Sequence, residues 1–119
     1  MEIKEHIIGN IKIAEVISDG IIIKNAEDGL DLLGNLYYQD FEKIIIHMQN
    51  ITPDFFNLKN GIAGEILQKF SNYRVRLIIV GDFSLLKSKS IADFIFESNN
   101  GRQVNFLTTT SEALKRLST

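Results

Sequence analysis

Lys43-Ile44-Ile45-Ile46-His47-Met48 contains a continuous apolar run bounded by polar residues. A strand with one face in water alternates apolar and polar residues, whereas a strand covered on both faces does not. This segment therefore reads as a central strand of a sheet with helices on both sides. Thr52-Pro53-Asp54 stops it, because proline cannot donate to the ladder and restricts the residue before it. Leu77-Ile78-Ile79-Val80, closed by Gly81-Asp82, is a second run of the same kind and is expected beside the first.

Between the two runs, Ile62, Ala63, Ile66, Leu67 and Phe70 recur at helical spacing and mark the inner face of one helix. An earlier helix is expected from Ala26, with Leu30, Leu33 and Tyr37 at three- and four-residue spacing, Leu32 and Leu36 beside them, and Glu27 and Asp28 at its positive end. After the second run, Ile91, Phe94 and Ile95 predict a third helix, ended by Ser98-Asn99-Asn100-Gly101 in a left-handed cap. Val104 to Leu107 reads as the last strand. A terminal helix through Leu117 follows, capped by Thr110 or Ser111 and carrying Glu112 in its first turn and Lys115 and Arg116 in its last.

The chain opens differently. Ile3 to Ile8 and Ile11 to Ile17 are joined by Gly9-Asn10, a pair that accepts the positive φ of a tight turn, so a β-hairpin is expected. Broken alternation in the second segment predicts either a bulge or a strand buried on both faces. Ile21-Ile22-Ile23, after the Asp19-Gly20 turn, reads as an extended approach to the first helix rather than a short strand. The whole is an α/β fold over residues 1–119 as a single domain: an opening hairpin, then alternating helices and strands, in a mostly parallel sheet with about four helices.

Composition narrows function. The net charge of −2 supplies no general attraction for phosphate backbones or anionic lipid, so neither nucleic acid nor membrane is an expected partner. The absence of cysteine excludes disulfides, thiolate metal sites and a cysteine nucleophile. The first residues lack the basic head and apolar stretch of a secretory signal, and a cytoplasmic location is the default expectation. His6 and His47 have no partner at metal-ligand spacing, and no cofactor motif is present, so neither a metal nor a cofactor is expected.

Several stretches carry a resemblance. Phe55-Phe56-Asn57-Leu58, Gly61-Ile62-Ala63-Gly64-Glu65-Ile66-Leu67-Gln68-Lys69-Phe70, Gly81-Asp82-Phe83 and Glu97-Ser98-Asn99-x-Gly101-Arg102 resemble the bacterial domain-of-unknown-function 4180 family over nearly the whole chain. That family name implies no activity. More distantly, the element order is similar to sulfate-transporter and anti-sigma-factor-antagonist (STAS) domains, in which the loop before the second helix presents a phosphorylatable serine or threonine. Here that loop reads Leu58-Lys59-Asn60-Gly61, with Thr52 and Ser71 the nearest hydroxyls. The resemblance thus implies the fold and a protein-interaction or regulatory role, without that phosphorylation switch.

Two sets of site residues follow. Lys59, Asn60 and Gly61, at the start of helix two, are candidates for contact with a protein partner or a second copy of the chain. The free N–H groups of the Asn60–Gly64 helix start could also bind an anion, with Asn60 as helix cap and Gly64 as a close-packing glycine in the competing structural reading. Asp82, at the carboxyl end of a parallel strand, would form a small-molecule or hydrolytic site if Glu65 and the turn Glu97, Asn99, Asn100, Arg102 approached it. Turn capping by Asp82 and an Arg102–Glu97 pair are the structural alternatives. Tyr37, Tyr38, Phe55, Phe56 and Phe83 fit either core or an interaction patch.

Overall fold

The computed structural model describes residues 1–119. Strands β1 (Glu2–Ile8), β2 (Ile11–Ile17), β3 (Lys43–His47), β4 (Arg76–Val80) and β5 (Val104–Leu107) form one sheet in the order β1-β2-β3-β4-β5. Four helices connect them: α1 (Ala26–Tyr38), α2 (Ile62–Asn72), α3 (Lys89–Asn100) and α4 (Thr110–Leu117). The α/β class and the hairpin match the sequence. The sheet, however, is mixed rather than mostly parallel: β1 runs antiparallel to β2, and β3, β4 and β5 follow β2 in parallel. A two-residue turn can join only antiparallel neighbours, so the hairpin fixes the direction of the edge strand. Gly9 sits there at φ +62°.

Strand parity divides the apolar side chains between two unequal cores. Ala14, Val16, Ile44, Ile46, Leu77, Ile79, Val104 and Phe106 face α1, α2 and α3 in a cluster of 21 buried residues. Ile13, Ile45, Ile78 and Val80 face the other way, where only α4 meets them through Ala113 and Leu117. Unbroken pairing from Glu2↔Ile17 to Ile8↔Ile11 shows that β2 has no bulge; burial on both faces explains its lost alternation. Ile23 is extended and bridges Ile51 before α1 begins.

Asn25 caps α1 by accepting from Asp28 N at 2.9 Å. Its buried stripe is Gly29, Leu32, Leu33 and Leu36, whereas Tyr37 lies at the surface. Two expected caps shift. Thr109, not Thr110 or Ser111, accepts from Glu112 N at 3.1 Å, because the helix starts one residue earlier. Gly101 closes α3 in an extended conformation (φ −103°), not a left-handed one; the backbone goes straight on into β5. Gly64 packs against nothing, and the close helical glycine is Gly29, where an added Cβ would lie 2.6 Å from Ile66 Cδ1 and 2.8 Å from its Cγ1. No helix is long and apolar enough to cross a membrane.

These two glycines give opposite expectations. Gly64→Ala should raise unfolding stability by about 0.5–1 kcal/mol, the helix-propensity difference on an open surface. Gly29→Ala should lower it by about 1–2 kcal/mol, because pushing the buried Ile66 aside outweighs the same gain. Urea denaturation of the two variants beside the parent checks both signs.

Candidate functional site

Glu15 is the one carboxylate buried in the sheet, its side chain 9% exposed in the middle of β2. Register sets Ile45 of β3 on one side of it and Lys4 of β1 on the other. His6 comes from β1 two positions beyond Lys4, and His47 from β3 two beyond Ile45, so all three side chains share a face. His6 Nε2 lies 2.8 Å from Glu15 Oε1 and His47 Nε2 2.7 Å from Oε2, each carboxylate oxygen taking one imidazole. A nitrogen so close to a carboxylate oxygen is the one bearing hydrogen, so each imidazole donates through Nε2 to its own oxygen of Glu15. Burial pushes the Glu15 carboxyl upward, but the hydrogen bonds and charges of His47 and His6 together outweigh it and hold the group below the usual carboxylate range.

His47 closes β3 at the carboxyl edge of the sheet and lines a cavity of about 440 Å³ with Ile21, Met48, Pro53, Asp82 and Leu85. The ends of β3 and β4 approach closely there, since a Cβ on Gly81 would collide with Met48. A second cavity, of about 550 Å³, lies between the loops that precede α2 and α3 and is lined by Pro53, Phe56, Lys59, Leu86 and Ser88 among others. Pro53 belongs to both, so the two lie side by side along the edge.

The expected site residues do not gather at one place. Lys59 borders the second cavity and forms no ion pair. Asn60 is committed to its loop, donating to Asp54 O at 2.7 Å and accepting from Ile62 N at 3.0 Å, while Gly61 at φ +82° is the cap residue of α2. Glu65 is exposed on the first turn of α2. Asp82 borders the first cavity, but its Oδ1 accepts from Ser84 N (3.1 Å) and Ser84 Oγ (2.5 Å), which is the turn-capping role.

Glu97, Asn99, Asn100 and Arg102 lie at the opposite edge. The twelve residues of α3 carry the chain about 18 Å, from beside Asp82 at the carboxyl edge to the start of β5. The hydrolytic cluster of Asp82, Glu65 and this turn is therefore not assembled. Asn99 instead bonds Phe106 through both amide atoms, at 2.8 and 3.0 Å, and Arg102 donates to Thr119 O at 2.8 Å rather than pairing with Glu97. Glu97 and Asn100 are exposed.

The aromatics divide as well. Phe55 and Phe56 are core, Phe83 packs between Phe56 and Phe106, and Tyr38 is 90% exposed. No group of three or more histidines, cysteines or carboxylates is arranged to hold a metal ion.

The residue missed by sequence reasoning is Glu15. The available signal was parity: of the two charges in the Ile11–Ile17 segment, Lys12 falls on one face, whereas Glu15 falls on the face of Ile11 and Ile13. Its partners are 9 and 32 residues away, and only strand register identifies them.

A family model described as "Domain of unknown function (DUF4180)" matches residues 8–117. No curated protein and no solved structure matches the chain. The similarity to STAS domains rests on element order and is not shown by these comparisons.

Because the Glu15 carboxyl is depressed in the folded state, the unfolded chain binds more protons as pH falls. Its stabilisation is complete above the ordinary value of 4.5 and is lost as pH drops through the lower folded value. Glu15→Gln should therefore cost about 1.5–3 kcal/mol at pH 7, the range for hydrogen bonds to a buried charged group. The gap between the two proteins should narrow as denaturation is repeated below pH 4.5. A gap constant from pH 7 to pH 3 would contradict this account.

Proposed function

This chain belongs to the domain-of-unknown-function 4180 family, and since that membership carries no activity we propose from its geometry that it is a non-enzymatic binding module. Its site is the cleft at the carboxyl edge, and its ligand is an uncharged, largely apolar segment of a protein partner. The observation that carries this reading is the nature of the cleft walls. Leu85 stands at the rim 69% exposed, beside Ile21 and Leu86. Lys59 and Asp82 are the only lysine, arginine or carboxylate residues in the lining, and the Asp82 carboxylate is already occupied by Ser84.

An exposed leucine beside a proline ridge suits apolar side chains of a partner, which become buried while the polar rim stays wet. A charged metabolite or a nucleic-acid backbone would find one lysine and little else. The cleft also lies open along its length, whereas sites for small molecules usually enclose most of the ligand surface. Lys59 keeps the role expected for it, as a contact beside α2. A regulatory use of such a module agrees with the STAS-like element order, with partner binding governed by something other than phosphorylation of the α2 loop.

A second reading has one observation in its favour. His47 is on the wall of the first cavity with its Nε2 fixed by Glu15, which orients the ring toward a small polar ligand.

A photo-crosslinking amino acid in place of Leu85, expressed in the cell of origin, should yield a discrete protein adduct, absent when the same group replaces exposed Glu65. Leu85→Asp should then weaken binding of the identified partner at least about tenfold, with His47→Gln near parental affinity. An adduct with a second copy of the chain would identify the partner as itself. No adduct above the Glu65 control would overturn the proposal. A small ligand seen by native mass spectrometry, lost in His47→Gln and kept in Leu85→Asp, would establish the second reading.

A further inference from the structure

At the amino edge of the sheet, away from that cleft, β3 and β4 start side by side with Lys43 opposite Arg76. Arg102, just before β5, and Arg116, in the last turn of α4, complete a group of four cations that includes three of the four arginines of the chain. Their hydrogen bonds go to main-chain oxygens alone. Lys43 Nζ donates to Leu117 O at 2.6 Å, Arg76 Nε to Arg102 O at 2.8 Å and Arg102 to Thr119 O at 2.8 Å. Arg116 donates to Asn99 O at 2.9 Å and Gly101 O at 3.2 Å. Every ion pair in the molecule lies elsewhere.

The Arg76 guanidinium is the anomaly. Both of its terminal nitrogens are buried without a hydrogen-bond partner in the protein. A guanidinium carries five N–H donors, and only the one on Nε is used. Leaving a buried charge so poorly partnered is unfavourable unless something answers it. Burial, and then the positive charges of Arg102 and Arg116, hold Arg76 below its ordinary value; burial, Arg76 and Arg102 do the same to Lys43. Opposing them are the Glu42 carboxylate near Lys43 and the carboxyl end of α4, equivalent to roughly half a negative charge. Glu42 is the one side-chain carboxylate among the groups acting on Lys43 and Arg76.

We propose that this cluster binds a phosphate-like dianion, gripped by the free terminal nitrogens of Arg76, with Arg102 and Lys43 as its other partners. Two parallel N–H donors on one guanidinium match two oxygens of a tetrahedral oxyanion, and a double negative charge answers the local excess better than a carboxylate does. Arg102 provides the entry. It is exposed, and its bond to the exposed Thr119 is replaced as the anion enters between it and Arg76. The attraction is local, since the chain as a whole is acidic.

The test titrates the full chain with inorganic phosphate at constant ionic strength against chloride, reading the melting temperature and the Nε–Hε resonance of Arg76 by NMR. A saturable rise in melting temperature with a shift of that resonance is expected. Arg102→Ala, on the surface and so tolerated by the fold, should weaken phosphate binding at least about tenfold, and Arg102→Lys should recover part of it. Glycerol phosphate as a second titrant separates the sources: binding as tight as phosphate marks a site for a phosphorylated small molecule, and binding of inorganic phosphate alone marks a site for the free ion. A response absent from the parent chain, or equal in parent and Arg102→Ala, would overturn the proposal. The outcome is independent of the carboxyl-edge cleft, because no residue is shared.

Discussion

Burial of β3 on both faces is the constraint from which the rest of the molecule follows. Ile44 and Ile46 enter one core and Ile45 the other, so helices are required on both sides of the sheet. They are unequal. Three helices cover the first face, but the second has only the eight residues of α4, about 12 Å of helix, set over β3, β4 and β5. Under that helix the sheet face is apolar apart from Asn105. Where β2 passes out beside it, the same face carries Glu15, held by His6 and His47. The polar cluster therefore marks the limit of what α4 covers: too shielded for a lone carboxylate, and open enough for histidines.

The two sheet margins are protected by different means. β1 is unpaired on its outer side and bears Lys4, Glu5 and His6 in succession, charges that discourage addition of another strand. On the far side, Asn99 offers its amide to both backbone groups of Phe106, taking the place of a sixth strand for one residue of β5. That role explains the dense polar turn after α3 without any ligand for Asn99. Beside it, Asn105 is buried and donates to Ser98 O and Gly101 O, so the turn is anchored from the strand as well.

The fold was legible wherever its cause is local. Ile44-Ile45-Ile46 and Leu77-Ile78-Ile79-Val80 announce strands buried on both faces through composition alone, and the helix stripes follow from a 3.6-residue period. The direction of β1 is equally local, since the Gly9-Asn10 turn permits only one. What could not be read was anything set by register between distant strands. Glu15 and His47 meet because β2 and β3 pair Glu15 with Ile45, and no spacing in the chain encodes that pairing. Lys43 and Arg76 are neighbours for the same reason, 33 positions apart in sequence. The choice between cap residues, one position in each case, depends on where the backbone leaves its turn and lies below what composition resolves.

Lys43 and His47 are the two ends of one strand, and their even spacing puts both on the face of α4. That raises the question of communication between the amino-edge cations and the carboxyl-edge cleft. Coupling through the protein requires an element with two arrangements whose balance both sites bias. β3 offers none: it is paired with β4 along its whole length and with β2 at Ile44 and Ile45, and Ile44, Ile45 and Ile46 are fully packed. What remains is the electric field. The four residue steps from Lys43 to His47 span about 13 Å, more than a Debye length at physiological salt, so a dianion at one end acts on a unit charge at the other by less than about 1 kcal/mol. An apolar segment in a neutral cleft feels less still. The strand that joins the two proposed sites thus gives neither a second arrangement nor a strong field through which one could act on the other.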